Sequence, residues 1–94
     1  MGVRERLDVL HKMSPEELRA LPASAEQPDE TVGHRTIRFV LWHDQPASGL
    51  HRFVIGRYDM SIAAGWHNVE VDGFALDERG QVRQLTDDEL RDFT

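Results

Sequence analysis

The chain has 94 residues, a formal net charge of −6, a hydrophobic fraction of 39% and no cysteine. This length is enough for one small domain, and we expect residues 1–94 to form it. Without cysteine the chain has no disulfide, no thiolate metal ligand and no thiol nucleophile. No apolar run reaches the roughly 20 residues that cross a bilayer, so we expect no contact with a membrane.

The charge also argues against nucleic acid as a partner. Affinity for nucleic acid comes mostly from basic side chains that displace counterions from phosphates. Here the 11 basic residues are spread along the chain and form no cluster. The first six residues lack the apolar stretch of a signal peptide, so we expect a cytoplasmic protein.

Helical signals stand at both ends of the chain. Residues 1–21 carry an apolar stripe with helical spacing, formed by Val3, Leu7, Leu10 and Met13. Ser14 and Glu17 have the spacing of a capping box, which predicts a second short helix. Thr86 begins an equivalent box, so we expect residues 86–94 to form a short C-terminal helix.

The middle of the chain predicts strands. Residues 22–31 mix prolines, acidic and small residues and predict an irregular linker. Residues 32–85 alternate between apolar and polar, as antiparallel strands do, although residues 58–65 fit either a strand or one helical turn. The predicted fold class is α+β: a meandering antiparallel sheet of about five strands, with helices at both chain ends packed on one face.

Two hairpins are expected within the sheet. In the first, residues 36–43 pair with residues 50–57, and Phe39 lies opposite Phe53. This register collects large apolar side chains on one face. In the second, Asp72 and Gly73 form a two-residue turn, which is the strongest short-range hairpin signal in the chain. A turn over residues 77–80 then brings Val82 opposite Leu76 and adds a third strand.

The reverse face of the first hairpin is unusually apolar for a surface that only water covers. It carries Arg38, Val40, Trp42, Leu50, Arg52 and Val54. Either the linker or the first helix covers this face, or the face is an interaction surface, because tryptophan and arginine are enriched in binding hot spots. Tyr58 and Trp66 would extend the surface if residues 58–65 continue a strand.

Three histidines on the opposite face form a second candidate site. His43 and His51 are diagonal neighbours in the predicted register, and His67 is expected to point inward as well. With Asp44 nearby they could hold a divalent metal or perform acid–base chemistry. The alternative is that they are half-buried polar residues at strand ends. The sequence has no HxH or HExxH spacing that would favour the metal site.

The functional expectation follows from these two surfaces and from the lack of a catalytic signature. Neither a GxSxG nor a GxGxxG motif is present, and we expect no cofactor. The leading hypothesis is a small non-catalytic protein-binding or regulatory module of the inhibitor or immunity type, with a protein partner or self-association. The alternative is a small metal-dependent or acid–base enzyme that uses the three histidines.

Overall fold

The computed structural model describes residues 2–26, 29–33, 35–61 and 65–93. Its helices are α1 (Val3–His11), α2 (Pro15–Arg19) and α3 (Asp87–Leu90), the last continued by a 3₁₀ turn at Arg91–Phe93. Its strands are β1 (Ser24–Glu26), β2 (Glu30–Val32), β3 (Arg35–Ala47), β4 (Leu50–Ser61), β5 (Gly65–Leu76) and β6 (Val82–Gln84). The described part of the chain is therefore mostly an antiparallel sheet, with a few short helices.

The six strands form one sheet. Strands β3, β4, β5 and β6 are neighbours in chain order, as in a meander, and both β1 and β2 pair with the other edge of β3. Ser24 lies opposite Trp42 in the first of these short pairings, and Glu30 lies opposite Ile37 in the second. The sequence predicts an irregular linker here, and this is wrong for the residues of β1 and β2. These residues form strands because the backbone groups along the free edge of β3 need hydrogen-bond partners.

The first hairpin has the predicted faces but a different register. Phe39 lies opposite Arg57, four residues beyond its predicted partner Phe53. The strands continue through the expected turn over residues 44–49, so the chain reverses only at residues 48–49. This moves the centre of the hairpin by about two residues and the partners of residues 37–44 by four. An even shift leaves each side chain on its predicted face.

Asp72 and Gly73 do not form a turn, so the second predicted hairpin is wrong. Strand β5 runs straight through both residues and pairs with β4 along its length. A Cβ atom on Gly73 would lie 2.3 Å from the carbonyl oxygen of Phe53. The glycine therefore permits a close approach of two strands.

The following turn is confirmed. Gly80 has a φ of 82°, and its N–H donates to the carbonyl oxygen of Asp77 over 3.1 Å. The Asp77 carboxylate accepts from the backbone N–H groups of Arg79 and Gln81 at 2.8 and 2.9 Å. Val82 then lies opposite Leu76, as predicted.

Each face of the sheet has its own apolar core. On the front face, side chains of α1 and α2 pack on Phe39, Phe53 and Phe74. On the reverse face, Leu90 of α3 packs with Val54. The two ends of the chain therefore cover opposite faces, whereas the sequence predicts both helices on one. Strand alternation explains the separation, because neighbouring residues such as 53 and 54 point in opposite directions.

The helices begin where the capping boxes predict. Ser14 accepts from the backbone N–H of Glu17, and Thr86 accepts from that of Glu89. Within the described residues, no helix is long and apolar enough to cross a membrane.

Candidate functional site

The C-terminal segment covers one half of the reverse face. Leu85 and Leu90 pack against Val54 and Ala75, and Phe93 packs on the edge of this cluster. Val54 is consequently fully buried. The predicted cover by the linker or the first helix is wrong for this half of the face.

Arg52 of β4 links the C-terminal segment to the sheet through hydrogen bonds and a ring contact. Its guanidinium donates to the carboxylate of Asp44 at 2.8 Å and to that of Asp92 at 2.9 Å, and it lies 4.9 Å from the centre of the Phe93 ring. The hydrogen bonds to Asp44 and Asp92 raise the pKa of Arg52. Only 9% of Arg52 is exposed, so its charge is neutralised within this chain rather than offered to a partner.

The other half of the reverse face is an open groove of about 330 Å³. Its lining residues are Ser24, Glu26, Arg38, Val40, Trp42, Tyr58 and Trp66. The groove thus takes in three of the six residues that the sequence singles out: Arg38, Val40 and Trp42. Leu50 lies instead beside the C-terminal cluster.

Neighbouring strands place the groove residues in rows. Val40 of β3 stands between Glu26 of β1 and Gly56 of β4. In the next row Arg38 is opposite Tyr58. Residues 58–61 and 65 lie in strands. The sequence predicts that Tyr58 and Trp66 extend the candidate interaction surface if this segment is a strand, and both line the groove. Residues 62–64 of the ambiguous segment 58–65 lie outside the described residues.

Gly56 allows the ring of Trp42 to lie close to the sheet, because glycine has no Cβ atom to displace it. A Cβ atom at Gly56 would lie 2.7 Å from Cζ3 of Trp42, so the ring rests directly over this glycine. The rings of Trp42 and Tyr58 meet in an edge-to-face arrangement, with 6.1 Å between their centres, and the centre of the Phe93 ring lies 5.9 Å from that of Trp42. Trp42 therefore forms the boundary between the covered and the open half of the face.

Arg38 forms a wall of the groove and has its own counterion. It donates two hydrogen bonds to the carboxylate of Asp29, at 2.9 and 3.2 Å. Its guanidinium also lies 4.3 Å from the centre of the Trp66 ring. The hydrogen bonds with Arg38 lower the pKa of Asp29, and the same contact raises the pKa of Arg38.

Glu26 is a groove residue that the sequence does not single out. The sequence predicts an irregular linker here, whereas strand β1 carries Glu26 to the rim beside Val40. The side chain is exposed, and no hydrogen bond or ion pair joins it to another residue in the described part of the chain. Alternation of Ser24 and Glu26 around the more apolar Ala25 is a weak strand signal, too short to outweigh the neighbouring prolines.

Two of the three candidate histidines are in direct contact. Nε2 of His43 lies 2.8 Å from Nδ1 of His51, and Nδ1 of His43 lies 2.8 Å from the carbonyl oxygen of Leu21. A carbonyl oxygen only accepts, so Nδ1–H of His43 donates to it. In the neutral pair, Nε2 of His43 then accepts a hydrogen bond from Nδ1–H of His51. The pair borders a depression of about 250 Å³ that Arg19 also lines.

His67 is not part of this pair. It lies opposite Asp59, near the start of β5, whereas His51 lies opposite Leu76 at its end. Residues 67 and 76 are nine steps apart along β5, a distance of about 30 Å in an extended strand. Across residues 2–26, 29–33, 35–61 and 65–93 no group of three or more potential ligands could hold a metal ion. The predicted cluster of three histidines is therefore wrong.

Comparisons with the models of known protein families, with curated proteins and with solved structures find no significant match.

Proposed function

We propose that this chain is a non-catalytic protein-binding module, and that the groove between Trp42, Tyr58 and Trp66 is its contact surface. The observation that carries the proposal is the unequal cover of the reverse face. The chain shields one half with its own C-terminal segment and leaves three aromatic side chains around the other half. Partly exposed aromatic residues grouped in this way are typical of binding surfaces.

The size and openness of the groove favour a protein segment over an enclosed small molecule. Its volume of about 330 Å³ is near the lower end of the range for ligand pockets, which is about 300–1,000 Å³. The groove has a short strand, β1, as one rim, so a partner can approach along the sheet edge. A regulatory role of the inhibitor or immunity type and the cytoplasmic location expected above are part of this proposal.

Two matched substitutions test the contact surface. Val40→Asp puts a charge on the groove floor, while Val9→Asp puts the same charge on α1, where Val9 is already 52% exposed. Wild type and both variants are used to capture proteins from a lysate of the source organism. A protein that distinguishes the variants is then purified, and its Kd is measured by titration calorimetry.

We expect Val40→Asp to raise the Kd about 100-fold and Val9→Asp to leave it within about twofold. Trp66→Ala provides a second groove variant if Val40→Asp melts at a lower temperature than wild type. Equal affinity of the purified partner for wild type and both groove variants would contradict the proposal, and so would the absence of any protein that distinguishes the groove variants.

A further inference from the structure

The rims of the groove combine aromatic rings with negative charge. Trp42, Tyr58 and Trp66 present π systems, whose faces attract cations. Glu26 adds a carboxylate at the rim formed by β1. Aromatic rings beside a carboxylate are the surroundings in which a cationic side chain is bound most readily.

The chain itself places a guanidinium in one half of the groove. Arg38 stacks at 4.3 Å over Trp66 and is neutralised by the two hydrogen bonds to Asp29. The other half, between Trp42, Tyr58 and Glu26, has the same two components, an aromatic wall and a carboxylate. Among the described residues, Glu26 has no hydrogen bond or salt bridge, and Arg38 interacts with it only through its electrostatic field.

The charge balance of the groove favours a positive partner. Arg38, the cationic side chain among the described groove residues, is hydrogen-bonded to Asp29 and also interacts electrostatically with Glu26. One guanidinium thus faces two carboxylates, which leaves one net negative charge at this end of the groove. The whole chain has a formal charge of −6, so its long-range field also attracts a basic protein. Arginine suits the site better than lysine, because a planar guanidinium stacks on aromatic rings and forms paired hydrogen bonds with a carboxylate.

We propose that the free half of the groove binds an arginine side chain, which an extended segment of a basic partner protein presents between Trp42, Tyr58 and Glu26. This inference rests on the proposed function, since it names the chemistry of the partner at the same surface.

The test uses two short peptides that differ only in charge. One is acetyl-Gly-Arg-Gly-amide, and the other has the neutral isostere citrulline in place of arginine. The readout is the pair of indole N–H signals of Trp42 and Trp66 in a two-dimensional NMR spectrum of the full chain. We expect the arginine peptide to shift the Trp42 signal and to bind about tenfold more tightly than the citrulline peptide.

Glu26→Gln provides the matched test of the carboxylate. We expect this exposed substitution to weaken binding of the arginine peptide about threefold to fivefold, and added salt to weaken binding to wild type. Glu16→Gln removes the same charge from α2, away from the groove, and should leave binding unchanged. Equal binding of the two peptides, or no shift with either up to their solubility limits, would overturn the inference.

The two proposals fail in different ways. If the purified partner loses affinity for Val40→Asp but binds equally well after its own arginines are replaced by glutamine, the groove is a binding site for another chemistry. If the partner binds Val40→Asp as well as wild type, the proposed function itself is wrong.

Discussion

His51, which is hydrogen-bonded to His43, has a pKa that its surroundings in the folded chain change. Burial, the neighbouring His43 and then Arg19 lower the pKa of His51 from its ordinary value. All three effects disfavour a positive charge on this ring. The lowered pKa favours the neutral form of the His51 ring, as expected for a half-buried polar residue near a strand end.

This shift predicts how stability depends on pH. The unfolded chain takes up a proton on His51 near pH 6.5, whereas the folded chain takes it up only at lower pH. The free energy of unfolding should consequently decrease as the pH falls from about 7 through 6.5 towards the folded pKa. His51→Asn retains a donor for His43 and should show a smaller decrease over the same range. Chemical unfolding at several pH values measures both.

An NMR titration of the His51 ring provides the direct check. A pKa at or above the ordinary value of about 6.5 would contradict this account. So would identical pH profiles of stability for wild type and His51→Asn.

The side-chain faces of β3 and β4 were predictable because alternation with a period of two is a local property. Phe39 and Phe53 lie on one face and Trp42 on the other, as the sequence predicts. The partners of single residues were not predictable in the same way. The counterion of Arg38 is Asp29, which lies in the segment where the sequence predicts an irregular linker.

Among the strands, a substitution at Gly73 distinguishes the predicted hairpin from the observed continuous strand. In the hairpin, Gly73→Ala would cost about 1–2 kcal/mol through a positive φ. In the continuous strand, the new Cβ would press against the Phe53 carbonyl oxygen at 2.3 Å, and β4 and β5 would have to separate. We expect a loss of about 3 kcal/mol or more, since over-packing of a rigid backbone contact adds to the usual cost.

Gly65→Ala is the matched control in thermal or chemical unfolding. Gly65 has a φ of 70°, and among the described residues a Cβ added there would meet no heavy atom within 4 Å beyond its chain neighbours, so the main penalty comes from the backbone conformation. A loss for Gly73→Ala no larger than that for Gly65→Ala would indicate a turn rather than a strand at Gly73.

The predicted hairpin at Asp72–Gly73 does not form because β5 has a longer pairing available. The Asp72–Gly73 signal describes a local preference, but the long strand β4 offers β5 a partner along its whole length. Pairing across that length satisfies more backbone groups than a short hairpin would. The bulge at Val69, where the register with β4 shifts, is likewise absent from any short sequence pattern. It reverses the alternation and leaves His67 and Val71 on opposite faces.

At the scale of the whole molecule, the C-terminal segment completes the reverse face. The sequence indicates a short helix at this end, but which face it covers depends on contacts between residues far apart in the chain, such as Leu90 with Val54. No local pattern contains that information. The same segment determines which half of the candidate surface stays open.

Leu90→Ala tests the cover. Leu90 is 9% exposed, and its truncation should lower the free energy of unfolding by about 2–3 kcal/mol and loosen the segment that covers Val54. Exposure of the apolar cluster should also increase self-association, which analytical ultracentrifugation measures. Val82→Ala is the control, because Val82 is 48% exposed and should cost less than about 0.5 kcal/mol. A similar small effect for both variants would show that the segment does not pack on the sheet.

Solvent access to individual side chains shows directly whether the reverse face is covered at one end and open at the other. A soluble nitroxide radical broadens the NMR signals of atoms that it can approach. We expect it to broaden the Val40 methyl and Trp66 indole signals strongly, while the Val54 methyl signals stay sharp. Equal protection of Val40 and Val54 would show that the groove is closed, and equal broadening would show that the C-terminal segment leaves the whole face open.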